Sequence, residues 1–244
     1  KSRKNFRIYK MKTIVIIPTY NEKENIKFLV EEILSLLPDI SILVVDDNSP
    51  DGTSGIIEEL RTKFPKLDLC TRIGDRGFGR SYIDGFRKVI NDEQYEKIVT
   101  MDADFSHDPK EILKMADKLS ECDVIIGSRY VRGGKIENWN WRRRLLSRFA
   151  NFYVKTILGV PINDMTTGFI YFKKEVLENF NLNSVRSEGY AFLIELKYQI
   201  FKSGFKIREH PIVFNERREG QSKMSFKNIW EAVLLPWKLK LSKK

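Results

Sequence analysis

The feature that most constrains the fold is a recurring pair: a short apolar run closed by polar or acidic residues, followed by a stretch with apolar residues at helical spacing. Residues 13–17 (TIVII) stop at Pro18, residues 41–45 (SILVV) run into Asp46-Asp47, and residues 97–101 (KIVTM) run into Asp102. Residues 123–127 (DVIIG) and the weaker run 67–71 complete the set. Between them lie helical patterns at 25–37, 54–63, 81–90 and 109–119, and Thr53 and Asp108 are the expected N-caps of the second and fourth. Runs this short and this apolar read as strands buried on both faces. The β-α alternation predicts a Rossmann-like α/β fold, a mostly parallel sheet with helices on both faces and its ligand at the C-terminal strand ends. Polar motifs follow the first, second and fourth strands, where that rule puts a site.

Past residue 130 the pattern becomes more elaborate. Gly133-Gly134 opens a loop, residues 142–158 form a basic, aromatic-rich helix, and a strand (168–172), a helix (190–201) and a strand (206–214) follow. Without internal repeats or a low-complexity linker, the chain reads as a basic N-terminal segment (1–12), one domain (13–224) and an amphipathic, lysine-rich C-terminal helix and tail (225–244). No apolar run approaches the ~18 residues of a bilayer span, and residues 1–12 have no apolar stretch of secretory type.

Several function classes fall away. Two cysteines, Cys70 and Cys122, and two histidines, His107 and His210, cannot assemble a zinc site, and buried free thiols suit a reducing compartment. There is no GxxxxGK[ST], and Gly77-Phe78-Gly79 has Tyr82 where a dinucleotide fingerprint needs its third glycine. The net charge of +10 calls for an anionic partner. Nucleic acid fits poorly, because acids at three strand ends would oppose a phosphate backbone.

Those acids carry the chemistry. Asp102-Ala103-Asp104 puts two carboxylates one residue apart on a loop, enough to reach one hard cation such as Mg²⁺ or Mn²⁺ together with phosphate oxygens. The other reading is helix capping, which Asp108 is better placed to do. Residues 46–53 (DDNSPDGT) are either a tight acid-rich turn or acceptors for a nucleobase N–H and ribose hydroxyls. Residues 18–22 (PTYNE) stand where a dinucleotide fold carries glycines and offer edge contacts to a base and ribose instead.

Together, residues 16–22 (IIPTYNE), 44–53 (VVDDNSPDGT) and 101–109 (MDADFSHDP) resemble glycosyltransferase family 2, inverting enzymes of GT-A fold. Within it, SPDGT, the SHDP extension and residues 127–134 (GSRYVRGG) are most similar to dolichyl-phosphate (polyprenyl-phosphate) mannosyltransferases. The resemblance spans about residues 12–223 and implies roles by position. Pro18, Tyr20, Glu22, Val45, Asp47, Asp102, Ala103 and Lys223 would hold the nucleotide sugar; Asp102, Asp104 and Ser106 would hold the divalent cation. Arg129, Arg143, Ser147 and Arg217 would hold the acceptor's phosphate, with Asp104, Arg129 and Arg217 at the chemistry itself. Arg143 and Ser147, four apart, share a helix face; Arg142 and Arg144 point elsewhere, toward solvent or anionic headgroups. Ala191 replaces a lysine of some relatives.

The resemblance further implies inverting transfer of mannose from GDP-mannose to dolichyl or polyprenyl phosphate. A phosphate monoester with a second pKa of about 6 is already an ionised nucleophile, so no general base is needed. Alternatives are UDP-glucose as donor or a saccharide acceptor, although the QxxRW signature of processive synthases is absent. A lipid acceptor implies a peripheral enzyme on the cytosolic face of a membrane, with a membrane partner subunit as a further possibility. Residues 225–235 either pack on the sheet or dock in the interface.

Overall fold

The computed structural model describes residues 12–183, 185, 187, 189–216 and 226–242. The first half reads β1 (Thr13–Thr19), α1 (Ile26–Leu36), β2 (Ser41–Asp46), α2 (Thr53–Arg61), β3 (Leu67–Thr71), α3 (Phe78–Ile90), β4 (Lys97–Thr100), α4 (Lys110–Lys118) and β5 (Val124–Ser128). The apolar runs are buried on both faces because the sheet has helices on both sides. On β1, Ile14 and Ile16 pack with Tyr82 and Phe86 of α3, whereas Val15 and Ile17 pack with Leu29 and Ile33 of α1. On β2, Leu43 and Val45 take the first face and Ile42 and Val44 the second. Fully burying each such side chain is worth roughly 1.5–3 kcal/mol, so these strand interiors anchor the fold.

The second half adds β6 (Lys135–Ile136), α5 (Trp141–Leu158), β7 (Ile170–Lys173), α6 (Lys174–Glu178), α7 (Gly189–Lys202), β8 (Ile207–Pro211), β9 (Val213–Phe214) and α8 (Phe226–Leu241). The main sheet has the order β3-β2-β1-β4-β7-β5-β8. Its neighbours are parallel except at β7, which runs antiparallel to both β4 and β5. The chain goes from β1 outward to β2 and β3, then returns to place β4 on the other side of β1. That reversal opens a crevice at the C-terminal ends of β1, β2 and β4.

Two local expectations need correction. The strand expected over 206–214 is two strands in two sheets. Pro211 has no N–H to continue a ladder, and Ile212 bridges instead, donating to the Ser128 carbonyl (3.0 Å) and accepting from Lys135 N (2.9 Å). β9 therefore leaves the main sheet and pairs with β6. Thr53 does not cap α2 but begins it, fully buried, while Asp51 accepts from Thr53 N (3.0 Å) and its hydroxyl (2.6 Å). Asp108 does serve the start of α4, accepting from Lys110 N at 2.9 Å.

Candidate active site

Three loops meet at the crevice, and each carries a non-glycine residue in the left-handed region: Asn21 after β1, Asn48 after β2 and Phe105 after β4 (φ 55°, 54° and 61°). Asparagine tolerates this conformation, whereas for a phenylalanine it is costly, and such strain collects at functional loops.

The loops after β1 and β2 are tied together. Asp46 is fully buried and accepts from Thr19 Oγ1 (2.9 Å), Ser49 N (2.9 Å), Ser49 Oγ (2.6 Å) and Ser54 Oγ (2.6 Å). Asp51 accepts from Lys23 N at 3.1 Å, Asn21 N donates to Ser49 Oγ at 2.9 Å, and Glu22 N donates to Thr53 Oγ1 at 3.0 Å. Burial works against the Asp51 carboxylate, but the Thr53 hydroxyl, Thr53 N and Lys23 N outweigh it and hold its pKa below the ordinary value. Pro18 lies opposite Val45, whose side chain is wholly in the core. Tyr20 receives a hydrogen bond from Arg76, whose guanidinium carbon lies 4.6 Å from the ring centroid. The Glu22 carboxylate accepts from Asn25 Nδ2 (3.0 Å). Asp47 accepts from Gly77 N at the start of α3 (2.8 Å) and is paired with Arg72, which also donates to Asp84 (2.7 Å).

The loop after β4 is built differently. Asp104 is buried and accepts from Ser106 N (3.1 Å), and the Ala103 side chain is buried in the core with Met101 and Ile112. Asp102 keeps a side-chain exposure of 27%. Its main-chain N–H donates to His107 Nδ1 at 3.2 Å. His107 is stacked on Phe169 (4.9 Å between centroids), and burial lowers its pKa to about 4, so it is a neutral brace. Two buried atoms here, Ser106 Oγ and His107 Nε2, have no hydrogen-bond partner among the described residues. Across the crevice, a Cβ added to Gly168 would stand 3.1 Å from Asp102 Oδ1 and 2.9 Å from the Tyr82 hydroxyl. Without a Cβ, Gly168 lets the start of β7 pack closely against Asp102 and Tyr82.

The arginine side is less open than its sequence suggests. Arg129 is buried, with Nε and an Nη each 2.7 Å from Asp164, its own N–H 3.0 Å from the same carboxylate, and Thr166 Oγ1 accepting at 2.7 Å. Burial tends to raise the Asp164 pKa, but the Arg129 guanidinium overrides it and the net shift is downward. Arg143 stacks on Trp139 (3.8 Å to the centroid) and pairs with Glu216 at 3.2 Å. Ser147 Oγ accepts from the Tyr130 hydroxyl at 2.6 Å. Arg217 and Lys223 lie outside the described residues.

Sequence reasoning missed the loop that organises this side. Asn163 N and Asp164 N donate to Glu209 (2.9 and 3.0 Å), Met165 N donates to Asn151 (2.7 Å), and the fully buried Lys197 Nζ donates to the Thr167 carbonyl (2.7 Å). Burial lowers the Lys197 pKa to about 7. The available signal was Asp164-Met165-Thr166-Thr167-Gly168, a polar stretch directly before an apolar run. Because β7 is antiparallel, with Ile170 opposite Thr100, its beginning lies at the edge where the parallel strands end.

Comparison with known proteins agrees with this arrangement. The domain "Glycosyl transferase family 2" matches residues 14–180. The polyprenol monophosphomannose synthase of Mycolicibacterium smegmatis is 44% identical over 224 residues, covering 91% of this chain and 84% of that protein. The undecaprenyl-phosphate mannosyltransferase of Micrococcus luteus is 35% identical, covering 92% of each. Among solved structures, glucosyl-3-phosphoglycerate synthase of Mycobacterium tuberculosis, in complex with Mn²⁺, uridine diphosphate and phosphoglyceric acid, superposes with a TM-score of 0.70. It is 14% identical, over 100% of this chain and 84% of that one, and establishes the GT-A fold alone.

Proposed function

This chain belongs to glycosyl transferase family 2, and we propose that it transfers mannose from GDP-mannose to a polyprenyl phosphate such as dolichyl phosphate, with inversion to a β-linked product. The observation that carries the reading is the convergence of the β1, β2 and β4 loops at the sheet's switch point, where the buried Ser106 Oγ has no hydrogen-bond partner among the described residues. The names of the relatives supply the sugar and the acceptor class.

The residues present fit a hard divalent cation. Asp102, Asp104 and Ser106 offer only oxygen, the donor set for Mg²⁺ or Mn²⁺. No group of three His, Cys, Asp or Glu converges among the described residues, so the shell would be completed by diphosphate and water, as Mg²⁺ commonly requires. A cation held there would supply counter-charge to the departing nucleoside diphosphate. Asp47, Glu22 and Tyr20, with Pro18, Val45 and Ala103 behind them, would receive the nucleoside, and Lys223 would sit near the diphosphate. Arg76 over Tyr20 gives that edge a cation beside an aromatic ring.

The acceptor needs no base, since a phosphate monoester is ionised at neutral pH. Its approach needs cations that remain in place. Arg129, held against Asp164, would present a fixed guanidinium edge, and Arg143, Ser147 and Arg217 would complete the phosphate seat. A lipid acceptor also accounts for the outer face of α5, where Leu145, Phe149 and Phe152 are each more than 60% exposed, and for Trp230 and Trp237 on α8. No helix of the described residues is long and apolar enough to cross a membrane. The proposed setting is the cytosolic face of a membrane, with the two helices lying in the interface and a membrane partner subunit as an additional anchor.

Turnover of GDP-mannose and of UDP-glucose, each with a short polyprenyl phosphate, with and without EDTA, tests the reading. GDP-mannose turnover that EDTA abolishes is expected. Preference for UDP-glucose would overturn the donor, and turnover only on a saccharide would overturn the acceptor.

A further inference from the structure

Beside the acceptor side lies a cleft of about 240 Å³ between the segment 129–136, which follows β5 and includes β6, and helix α5. Its cations are Arg129, Lys135, Arg144 and Arg148, and no acid lines it. Arg129 is already paired with Asp164. Lys135, Arg144 and Arg148 are exposed and form no ion pair among the described residues. Elsewhere on the surface some basic side chains, such as Arg61, Arg80, Lys114 and Arg208, are matched with acids, and others, such as Lys27 and Lys202, stand singly without an ion pair among the described residues; at the cleft, by contrast, unpaired cations converge. Like charges converging on a cleft without a counter-charge repel one another, and an anion relieves that repulsion.

The surroundings decide which anion. Arg144 and Arg148 are one helical turn apart, so they present to one side of α5 together. Trp141, Leu145, Phe149 and Phe152 stand exposed on the same helix, between 61% and 69%. Helix α8 extends this surface: Trp237 Nε1 donates to the Tyr153 hydroxyl (3.0 Å), and Tyr153 donates to the Val233 carbonyl (2.9 Å), leaving Leu234 and Leu241 exposed. A soluble phosphate would satisfy the arginines and ignore the apolar stripe. A molecule with a phosphate head and acyl chains satisfies both.

We propose that Lys135, Arg144 and Arg148 of this cleft seat the phosphodiester headgroup of an anionic bilayer phospholipid, on side chains other than the Arg129, Arg143, Ser147 and Arg217 assigned to the acceptor's phosphate. The inference rests on the interfacial reading above and adds to it a lipid class and the residues that select it. Seating a bilayer headgroup on Lys135, Arg144 and Arg148 would fix the rotation of α5 against the membrane and so turn the crevice toward the acceptor's phosphate.

The test is co-sedimentation of the full chain with phosphatidylcholine vesicles, with and without phosphatidylglycerol and without polyprenyl phosphate. The Arg144→Gln/Arg148→Gln variant should lose about 30-fold in partition onto the anionic vesicles, the effect of two juxtamembrane charges. A control removing the same charge from other helices, Lys27→Gln/Lys202→Gln, should lose less than about twofold. Equal losses in both would overturn the proposal in favour of net charge. So would millimolar inorganic phosphate raising the Tm of the wild type but not of the cleft variant while vesicle binding is the same in both, because the cleft would then seat a soluble anion. Lys135→Gln, an exposed side chain at the start of β6, gives a second reading should the helix variant fold poorly, with about fivefold loss expected and no loss counting against the site. Turnover of a water-soluble, short-chain acceptor in the absence of vesicles is measured separately. It should survive in the cleft variant, so failure of the cleft leaves the transferase reading intact.

Discussion

The sheet carries paired aspartates at the ends of two strands, β2 and β4, and the two ends are finished in opposite ways. At β2, Asp46 takes hydrogen bonds from Thr19, Ser49 and Ser54, and Asp51 takes them from Thr53 and Lys23. The chain itself satisfies those carboxylates, and they lock the β1 and β2 loops together. At β4, Asp104 takes the Ser106 N–H, while Ser106 Oγ and His107 Nε2 are buried with no hydrogen-bond partner among the described residues. Identical residue types at equivalent positions thus do different work. One end is a scaffold complete in itself, and the other is a half-built shell, held in shape by a neutral histidine and an opposing glycine.

The sharpest way to break that contrast is to remove one carboxylate from each end. Asp104→Ala should lower turnover by about 10³-fold, as removal of a group that stabilises developing charge does, while Tm stays within the range of a neutral surface change. Relief of repulsion with Asp102 offsets the lost Ser106 contact. Steady-state rates and thermal melts on one preparation check both halves, and undiminished turnover would remove the residue from the site. Asp46→Ala should behave in reverse. It strands the Thr19, Ser49 and Ser54 donors in the interior and costs about 2–3 kcal/mol of unfolding free energy, with a smaller effect on kcat at permissive temperature. A large stability loss in both variants, or in neither, would erase the distinction.

Asp47 stands between these extremes, and the Arg72 ion pair is what makes it intermediate. Its carboxylate, proposed to receive the nucleoside, is paired with Arg72 and anchored by Gly77 N. Arg72→Met keeps much of the side chain's bulk and removes the charge. If Asp47 receives the nucleoside only while Arg72 orients it, KM for the donor should rise about tenfold with kcat nearly unchanged, a loss of uniform binding. A matching fall in kcat would place Asp47 nearer the chemistry.

Much of this contrast was legible in the sequence up to residue 128 and little of it beyond. Apolar runs closed by a proline or by acids locate β1, β2 and β4 to within a few residues, because a short apolar run with a polar stop is how a parallel strand buried on both faces is written. What the acids do was not legible, since Asp46 and Asp104 look alike until their hydrogen-bond donors are placed. In the second half the decisive pairings span large separations. Asp164 meets Arg129 across 35 residues, and Glu209 meets Asn163 across 46. The reversed direction of β7 put the 164–168 loop into the crevice from the beginning of a strand, where the rule about strand ends does not look. The break between β8 and β9 turned on Pro211, a residue whose missing N–H was visible but whose consequence depended on which strands lay alongside.

The smallest expected effect comes from the loop that joins the two regions. Lys197 is fully buried beneath Thr167, and burial lowers its pKa to about 7 from 10.5 despite the opposing pull of Asp164. Between those values the unfolded chain still holds a proton that the folded chain has released. Stability therefore rises with pH across this window, by about 1 kcal/mol for this group between pH 7 and pH 8, and the gain ceases above the unfolded pKa. Lys197→Met should remove that increment and flatten the dependence of unfolding free energy on pH in denaturant titrations at the two values. If the slope survives the substitution, the lysine keeps its proton when folded, and the 163–168 loop is held by a full ion pair with Asp164 and resembles the closed β2 end more than the open β4 end. If it disappears, the loop beside the crevice carries a neutral amine. The Arg129 guanidinium is then the only fixed positive charge that this side, among its described residues, sets against Asp164.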